Sequence, residues 1–302
     1  MSTQFERENT VSTSNGLSLW VSGARPRTLP LALAPVILGA ASAWWADSFS
    51  WALTALAALV ATSLQVGVNY SNDYSDGIRG TDDYRVGPAR LTGAGLVTPH
   101  LVLRAALASF GVAALAGLAL IVLSSSWWLL LLGIVALVAA WYYTGGKKPY
   151  GYLGLGEIVV FVFFGPVATI GTAYVQIGSI PFEAWFTGSA AGFFASAVLL
   201  VNNLRDIDQD TLASKNTLAV RVGTVWSRVL ITALLVAPYL IVALLSLVFM
   251  WAPLAYIGLL LTIPTVVIVW SGKSPRELIT ALQLMTLNSL LFAVLLAGAI
   301  AF

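Results

Sequence analysis

The sequence predicts an all-α integral membrane protein: nine transmembrane helices in a single bundle, with the amino terminus in the cytoplasm. Three observations predict it. The 302 residues are 59% hydrophobic and only 9% charged, where a soluble domain carries about 25% charged residues. Nine apolar runs each approach the roughly 20 residues that cross a bilayer. All fifteen lysines and arginines fall on one side of a chain threaded that way.

Residues 1–18 are polar and lack the basic, apolar and small-residue layout of a cleaved signal. They read as a disordered tail, with 19–302 as one transmembrane domain. Spans are expected near 29–46, 51–71, 101–123, 127–144, 155–175, 186–203, 228–249, 253–270 and 279–301. The first two part around Asp47 to Ser50. Residues 105–144 are too long for one helix and divide at Ser124-Ser125-Ser126; residues 229–270 divide at Trp251-Ala252-Pro253. Basic residues lie in the tail and in the loops after the second, fourth, sixth and eighth spans, while the opposite loops hold only Asp47 and Glu183. The positive-inside rule then places the long loops in the cytoplasm.

Composition also excludes chemistry. With no cysteine there is no disulfide, thiolate metal site or cysteine nucleophile, and the lone His100 leaves no histidine-ligated metal. No nucleic-acid partner is expected; membrane lipid is.

Two acidic and amide clusters interrupt the apolar chain: Asn69 to Asp76, continuing to Asp82 and Asp83, and Asn202 to Asp210. Together they hold seven of the thirteen acidic residues. Each lies where an apolar run ends, on the same expected face, and intramembrane or membrane-edge carboxylates are functional candidates. If the second span continues as helix, Gln65, Asn69, Asn72, Asp73 and Asp76 share one face. Asn203, Asp206 and Asp210 do the same on the sixth. Carboxylates packed so densely repel unless a cation joins them. Opposed rows of oxygen ligands suit a hard cation such as Mg²⁺, which binds through a few carboxylates, waters and a substrate's phosphates. Arg79, Lys147, Lys148, Arg205 and Lys215 are at hand for the phosphate charge. Asp82, Asp83 and Asp208 read equally well as solvated loop charges. A cation transporter is the competing class, but it predicts charges at mid-membrane and broken helices.

The Asn72-Asp73-x-x-Asp76 and Asp206-x-x-x-Asp210 patterns, with nine spans, resemble the UbiA-type intramembrane aromatic prenyltransferases. Ala24 to Pro30, Gly87 to Leu91, Tyr150 to Glu157 and Asn202 to Asp208 are most similar to the menaquinone-pathway branch. The resemblance covers residues 20–302. It implies two Mg²⁺ ions, one on Asp73 and Asp76, the other on Asp206 and Asp210. The implied donor is a polyprenyl diphosphate and the implied acceptor 1,4-dihydroxy-2-naphthoate, with 4-hydroxybenzoate or homogentisate as alternatives. The Tyr-x-x-x-Lys motif is Tyr143 to Lys147, which implies that Lys147 contacts the diphosphate with Lys148 in support. Asn69, Asn72, Asn202, Asn203 and Gln65 join the substrate-binding set. The third Asp of the broader family's first motif is Gly80 here, so Asp82 is the substitute ligand. Arg25 or Arg27 is expected to meet the acceptor's carboxylate. Glu157 is read as complementing a helix amino end.

Overall fold

The computed structural model describes residues 16–81, 90–272 and 274–302, and every regular element among them is helical. Most of the expected tail lies outside the described residues, but helix α1 (Gly16–Ala24) already includes 16–18. Among the described residues, eight helical segments are long and apolar enough to cross a membrane, so this is a multi-pass membrane protein. The expected fourth span is the exception: α5 (Leu129–Tyr142) has 14 residues, about 21 Å at 1.5 Å per residue.

The amino-terminal joint is tight. Arg25 takes a left-handed conformation (φ 52°) between α1 and a 3-10 turn, Pro26–Thr28, and α2 (Leu29–Trp45) follows directly. Small residues let α2 sit at the centre of the bundle, against α3, α7, α8 and α12. Ser50 caps α3 (Trp51–Ile78), whose 28 residues reach about 42 Å, beyond the roughly 30 Å hydrocarbon core. The surplus turns carry Asn69 to Asp76 as continuous helix. α4 (Pro99–Ser124) ends at left-handed Ser125, at the expected break.

The next span is bent. α6 (Gly156–Val162) runs through a wide turn, Phe163–Val167, into α7 (Ala168–Ile177), with Pro166 and the non-helical Gly165 at the bend. Proline removes the amide that would close a helical turn, which explains the kink. α8 (Phe182–Arg205) packs into the bend through Gly188 and Gly192. A Cβ on Gly192 would stand 2.6 Å from the Phe161 carbonyl oxygen, so glycines four apart permit this close helix crossing.

The sixth span departs from expectation at its end. α8 stops at Arg205, Asp206 leaves helical geometry, and a short α9 (Ile207–Leu212) resumes. α10 (Leu218–Leu245) starts ten residues before the expected 228 and breaks at Gly223 (φ 77°). A 3-10 stretch, Ala252–Gly258, leads into α11 (Leu259–Ser271), and a capping box at Ser274 and Glu277 opens α12 (Pro275–Ala301).

The main core joins α2, α8, α10 and α12 around Phe194, Leu235 and Phe292. A polar lock crosses it. Asn288 donates to the Tyr239 hydroxyl (3.1 Å) and the Thr262 hydroxyl (2.7 Å), tying α12 to α10 and α11. Such interhelical bonds contribute about 1 kcal/mol in membranes. Asn288→Ala should therefore shorten the thermal half-life in detergent modestly while turnover stays near wild type. A loss of turnover without a loss of stability would assign Asn288 some other role.

Candidate active site

A cavity of about 780 Å³ runs from the bundle interior to the end of α3. Its inner walls are apolar, from Leu64, Gly133 and Ala136 to Val160, Phe163 and Val167. Its other end is polar, and the expected residues gather there. Gln65, Asn69, Asn72, Asp73, Asp76, Tyr143, Asn202, Asn203, Arg205 and Lys215 all line it, as do Arg25 and Arg27.

Each carboxylate of the two rows is already engaged. Asp73, 2% exposed, accepts the backbone amides of Leu91 and Thr92, both at 2.8 Å, one on each oxygen. Asp76 accepts the Tyr152 hydroxyl on Oδ1 at 2.6 Å. Its Oδ2 faces Arg90 Nη2 at 3.4 Å and Lys215 Nζ at 3.9 Å. Asp206 takes a two-pronged bond from Arg205, whose Nη2 also reaches Asn202 Oδ1 at 2.9 Å. Asp210 lies 3.6 Å from Lys215 Nζ. Burial pushes the Asp210 carboxyl up to about 6, against the opposing pull of Lys215 and with Asp206 and Asp76 adding to the rise.

The opposed rows therefore converge, with one ammonium between Asp76 and Asp210. Among the described residues no three acidic or histidine side chains form a ready-made metal cage. Mg²⁺ does not need one, because it is usually held by one or two carboxylates and completed by substrate phosphates. Lys215 is a stand-in positive charge at the position that pairs the rows. The donor set fits a divalent cation.

Other expected residues have been placed in supporting roles. Gln65 and Asn69 donate to Thr28 Oγ1 (3.0 Å) and the Ala24 carbonyl (2.9 Å), which fixes the joint bearing Arg25. Asn72 accepts from Thr144 at 2.7 Å. Arg79 is exposed and donates to the carbonyls of Thr144 and Gly146. Arg79 and Asn72 thus hold the loop that carries Tyr143 to Lys147. Lys147 and Lys148 are exposed, and neither lines the cavity. Asp206 and Asp210 back the polar end without lining it. Asp208 is exposed, and Asp82 and Asp83 lie outside the described residues. Glu157, buried at the start of α6, accepts from Asn203 at 2.8 Å. Sequence reasoning missed two contributors, Arg90 and Tyr152. Both stand in glycine- and proline-flanked loops where no periodicity marks a face.

The profile of the UbiA prenyltransferase family matches residues 32–290. The 1,4-dihydroxy-2-naphthoate octaprenyltransferase of Mycobacterium tuberculosis is 48% identical over 283 residues, covering 94% of this chain and 97% of that one. Among solved structures, a UbiA homolog from Aeropyrum pernix K1 superposes with a TM-score of 0.71 at 15% identity, over 88% of this chain and 96% of the other. A UbiA homolog from Archaeoglobus fulgidus, bound to GPP and Mg²⁺, gives 0.65 at 16% identity, over 94% and 99%. Shared architecture and nearly full-length identity to a curated relative leave one conclusion: the chain belongs to the UbiA prenyltransferase family.

Proposed function

We propose that the chain transfers a polyprenyl group from its diphosphate to 1,4-dihydroxy-2-naphthoate, with loss of the acceptor's carboxylate as CO₂. The observation that carries this reading is one continuous cavity whose apolar walls end at Asp73, Asp76, Arg90 and Lys215, with Asp206 and Asp210 behind that polar end. A long hydrocarbon chain and an anionic headgroup need that combination. The relative named for this naphthoate, 48% identical over most of the chain, supports the choice of acceptor.

In this reading Asp73 and Asp76 hold one Mg²⁺ and Asp206 and Asp210 a second. When bound, the ions supply Lewis-acid stabilisation of the diphosphate leaving group. The chain's own residues do the rest. Arg90 and Lys215 accept phosphate charge beside Asp76, and positioned cations of this kind lower the cost of charge that develops on a leaving group. Apolar walls exclude water from the allylic carbon as its C–O bond breaks. The ring carbon bearing the carboxylate forms the new C–C bond, and departure of CO₂ returns an electron pair to the ring. Arg25, at the polar end, meets the acceptor's carboxylate; Arg27 stands beside it. Lys147 and Lys148 fit attraction of the donor from outside the cavity.

The membrane arrangement follows the same reading: nine spans including α5, with the amino terminus and acidic rows on the cytoplasmic face of the cell membrane. The one-sided placement of lysine and arginine supports it.

Purified protein, labelled polyprenyl diphosphate and Mg²⁺ should yield prenylated naphthoquinol and CO₂. Preference for 4-hydroxybenzoate would overturn the acceptor, and no transfer to any aromatic acceptor would overturn the reaction. Lys215→Ala should raise the donor KM by roughly tenfold to a hundredfold and move the acceptor KM little. Equal increases in both would remove Lys215 from the diphosphate site.

A further inference from the structure

Tyr152 is the meeting point of three elements around the acidic rows. Its hydroxyl donates to Asp76 Oδ1 at 2.6 Å. Its ring carries two cations, Lys215 Nζ at 5.1 Å and the Arg79 guanidinium at 5.4 Å from the centroid. The same Arg79 holds the Thr144 and Gly146 carbonyls, and the same Lys215 lies between Asp76 and Asp210.

The loop that presents Tyr152 is built to stay in place. Pro149 precedes a 3-10 turn, Tyr150–Leu153, and left-handed Gly154 (φ 70°) ends it. The Gly151 amide donates to the Tyr143 carbonyl at 3.0 Å, and a Cβ on Gly151 would come within 2.5 Å of that oxygen. The Tyr150 hydroxyl donates to the Ala139 carbonyl at 2.8 Å. Anchored on both sides, the loop brings the Tyr152 hydroxyl to Asp76.

We propose that Tyr152 is a positioning residue: its hydroxyl fixes the orientation of Asp76 for the cation, and its ring stations Lys215 beside the diphosphate. The inference rests on the prenyl-transfer reading of the site and goes one residue further. A carboxylate next to a guanidinium tends to swing into a two-oxygen pair, because paired N–H···O bonds are strong. Asp76 has Arg90 at 3.4 Å from Oδ2, and a hydrogen bond held on Oδ1 prevents that swing. Oδ2 is left turned toward Asp210 across Lys215. When a divalent cation takes up the space between the rows, Lys215 must yield, and an aromatic face is a favourable perch for an ammonium. The two functions of the side chain separate by substitution.

Tyr152→Phe keeps the ring and loses the hydroxyl; Tyr152→Leu loses both. Binding of a non-hydrolysable prenyl thiolodiphosphate to purified protein is followed by calorimetry across a Mg²⁺ series, beside thermal midpoints without ligand. Orientation of a metal ligand by its partner typically affects metal affinity by about tenfold to a hundredfold. Tyr152→Phe should raise the Mg²⁺ needed for half-maximal binding by about tenfold, with donor affinity at saturating Mg²⁺ within about threefold of wild type. Tyr152→Leu should add a weakening of donor binding that saturating Mg²⁺ does not restore. Unchanged Mg²⁺ dependence in Tyr152→Phe overturns the proposal. So does a fall in thermal midpoint accompanied by equal loss of donor binding at every Mg²⁺ level, which is the signature of a structural role. If the wild-type protein shows no Mg²⁺-dependent binding of the analogue, the site reading itself falls. Wild-type binding matched by Tyr152→Phe sinks only the inference.

Discussion

Asp76→Asn should cut turnover by roughly a thousandfold, far more than the accompanying fall in thermal midpoint from the lost partner of buried Arg90 accounts for. The substitution keeps the shape of the side chain, and the amide oxygen can still accept from the Tyr152 hydroxyl. What it removes is the negative charge on the oxygen that faces Arg90 and Lys215. An NH₂ group there repels both cations and cannot ligate Mg²⁺. Asp73→Asn is a less clean experiment despite the similar sequence context. Both Asp73 oxygens accept backbone amides, from Leu91 and Thr92, and an amide nitrogen cannot replace one of them. Asp73→Asn should therefore loosen the segment bearing Arg90 and lower stability as well as turnover. Steady-state rates with labelled donor, measured beside thermal midpoints, separate the two variants. Near-wild-type turnover in Asp76→Asn would take Asp76 out of the reaction.

The contrast between Asp73 and Asp76 shows what sequence spacing conveys. Helical periodicity placed Gln65, Asn69, Asn72, Asp73 and Asp76 on one face of α3, and all five line the cavity. Spacing cannot say what a face meets. Gln65 and Asn69 secure the joint at Ala24 and Thr28, and Asn72 secures Thr144; these contacts join segments far apart in the chain. The breaks at Ser125 and at Trp251 to Pro253 were legible because hydroxyl and proline signals interrupt apolar runs that are too long for one span. Two boundaries were hidden. Arg221, Ser227 and Arg228 dilute the apolar signal over the start of α10, so hydropathy delays its beginning. At Asp206 the i, i+4 spacing to Asp210 survives a local break, since the Asp210 amide still reaches the Asp206 carbonyl at 2.8 Å. Arg90 and Tyr152 were illegible for a different reason: loop residues have no period, and only folding brings them to Asp76.

Gly39→Ala should destabilise the protein by about 2–3 kcal/mol, as overpacking of a well-filled core does. In an isolated helix the same change stabilises by up to about 1 kcal/mol, so the expected sign is set entirely by packing. A Cβ on Gly39 would stand 2.3 Å from the Thr169 backbone oxygen and 2.8 Å from the Thr172 Cβ. Neither atom can rotate away, because both belong to or sit directly on the backbone of α7. The helices must part instead, and they form two walls of the cavity through Pro35 and Val36 on α2 and Thr172 and Val175 on α7. Turnover should fall along with stability. Gly171→Ala provides the contrast on α7 itself: Gly171 also lines the cavity, yet a Cβ there meets nothing within 4 Å. That variant should hold or slightly raise the thermal half-life in detergent. Equal stability of the two variants would mean that α2 and α7 are not in the close contact from which the cavity takes its shape.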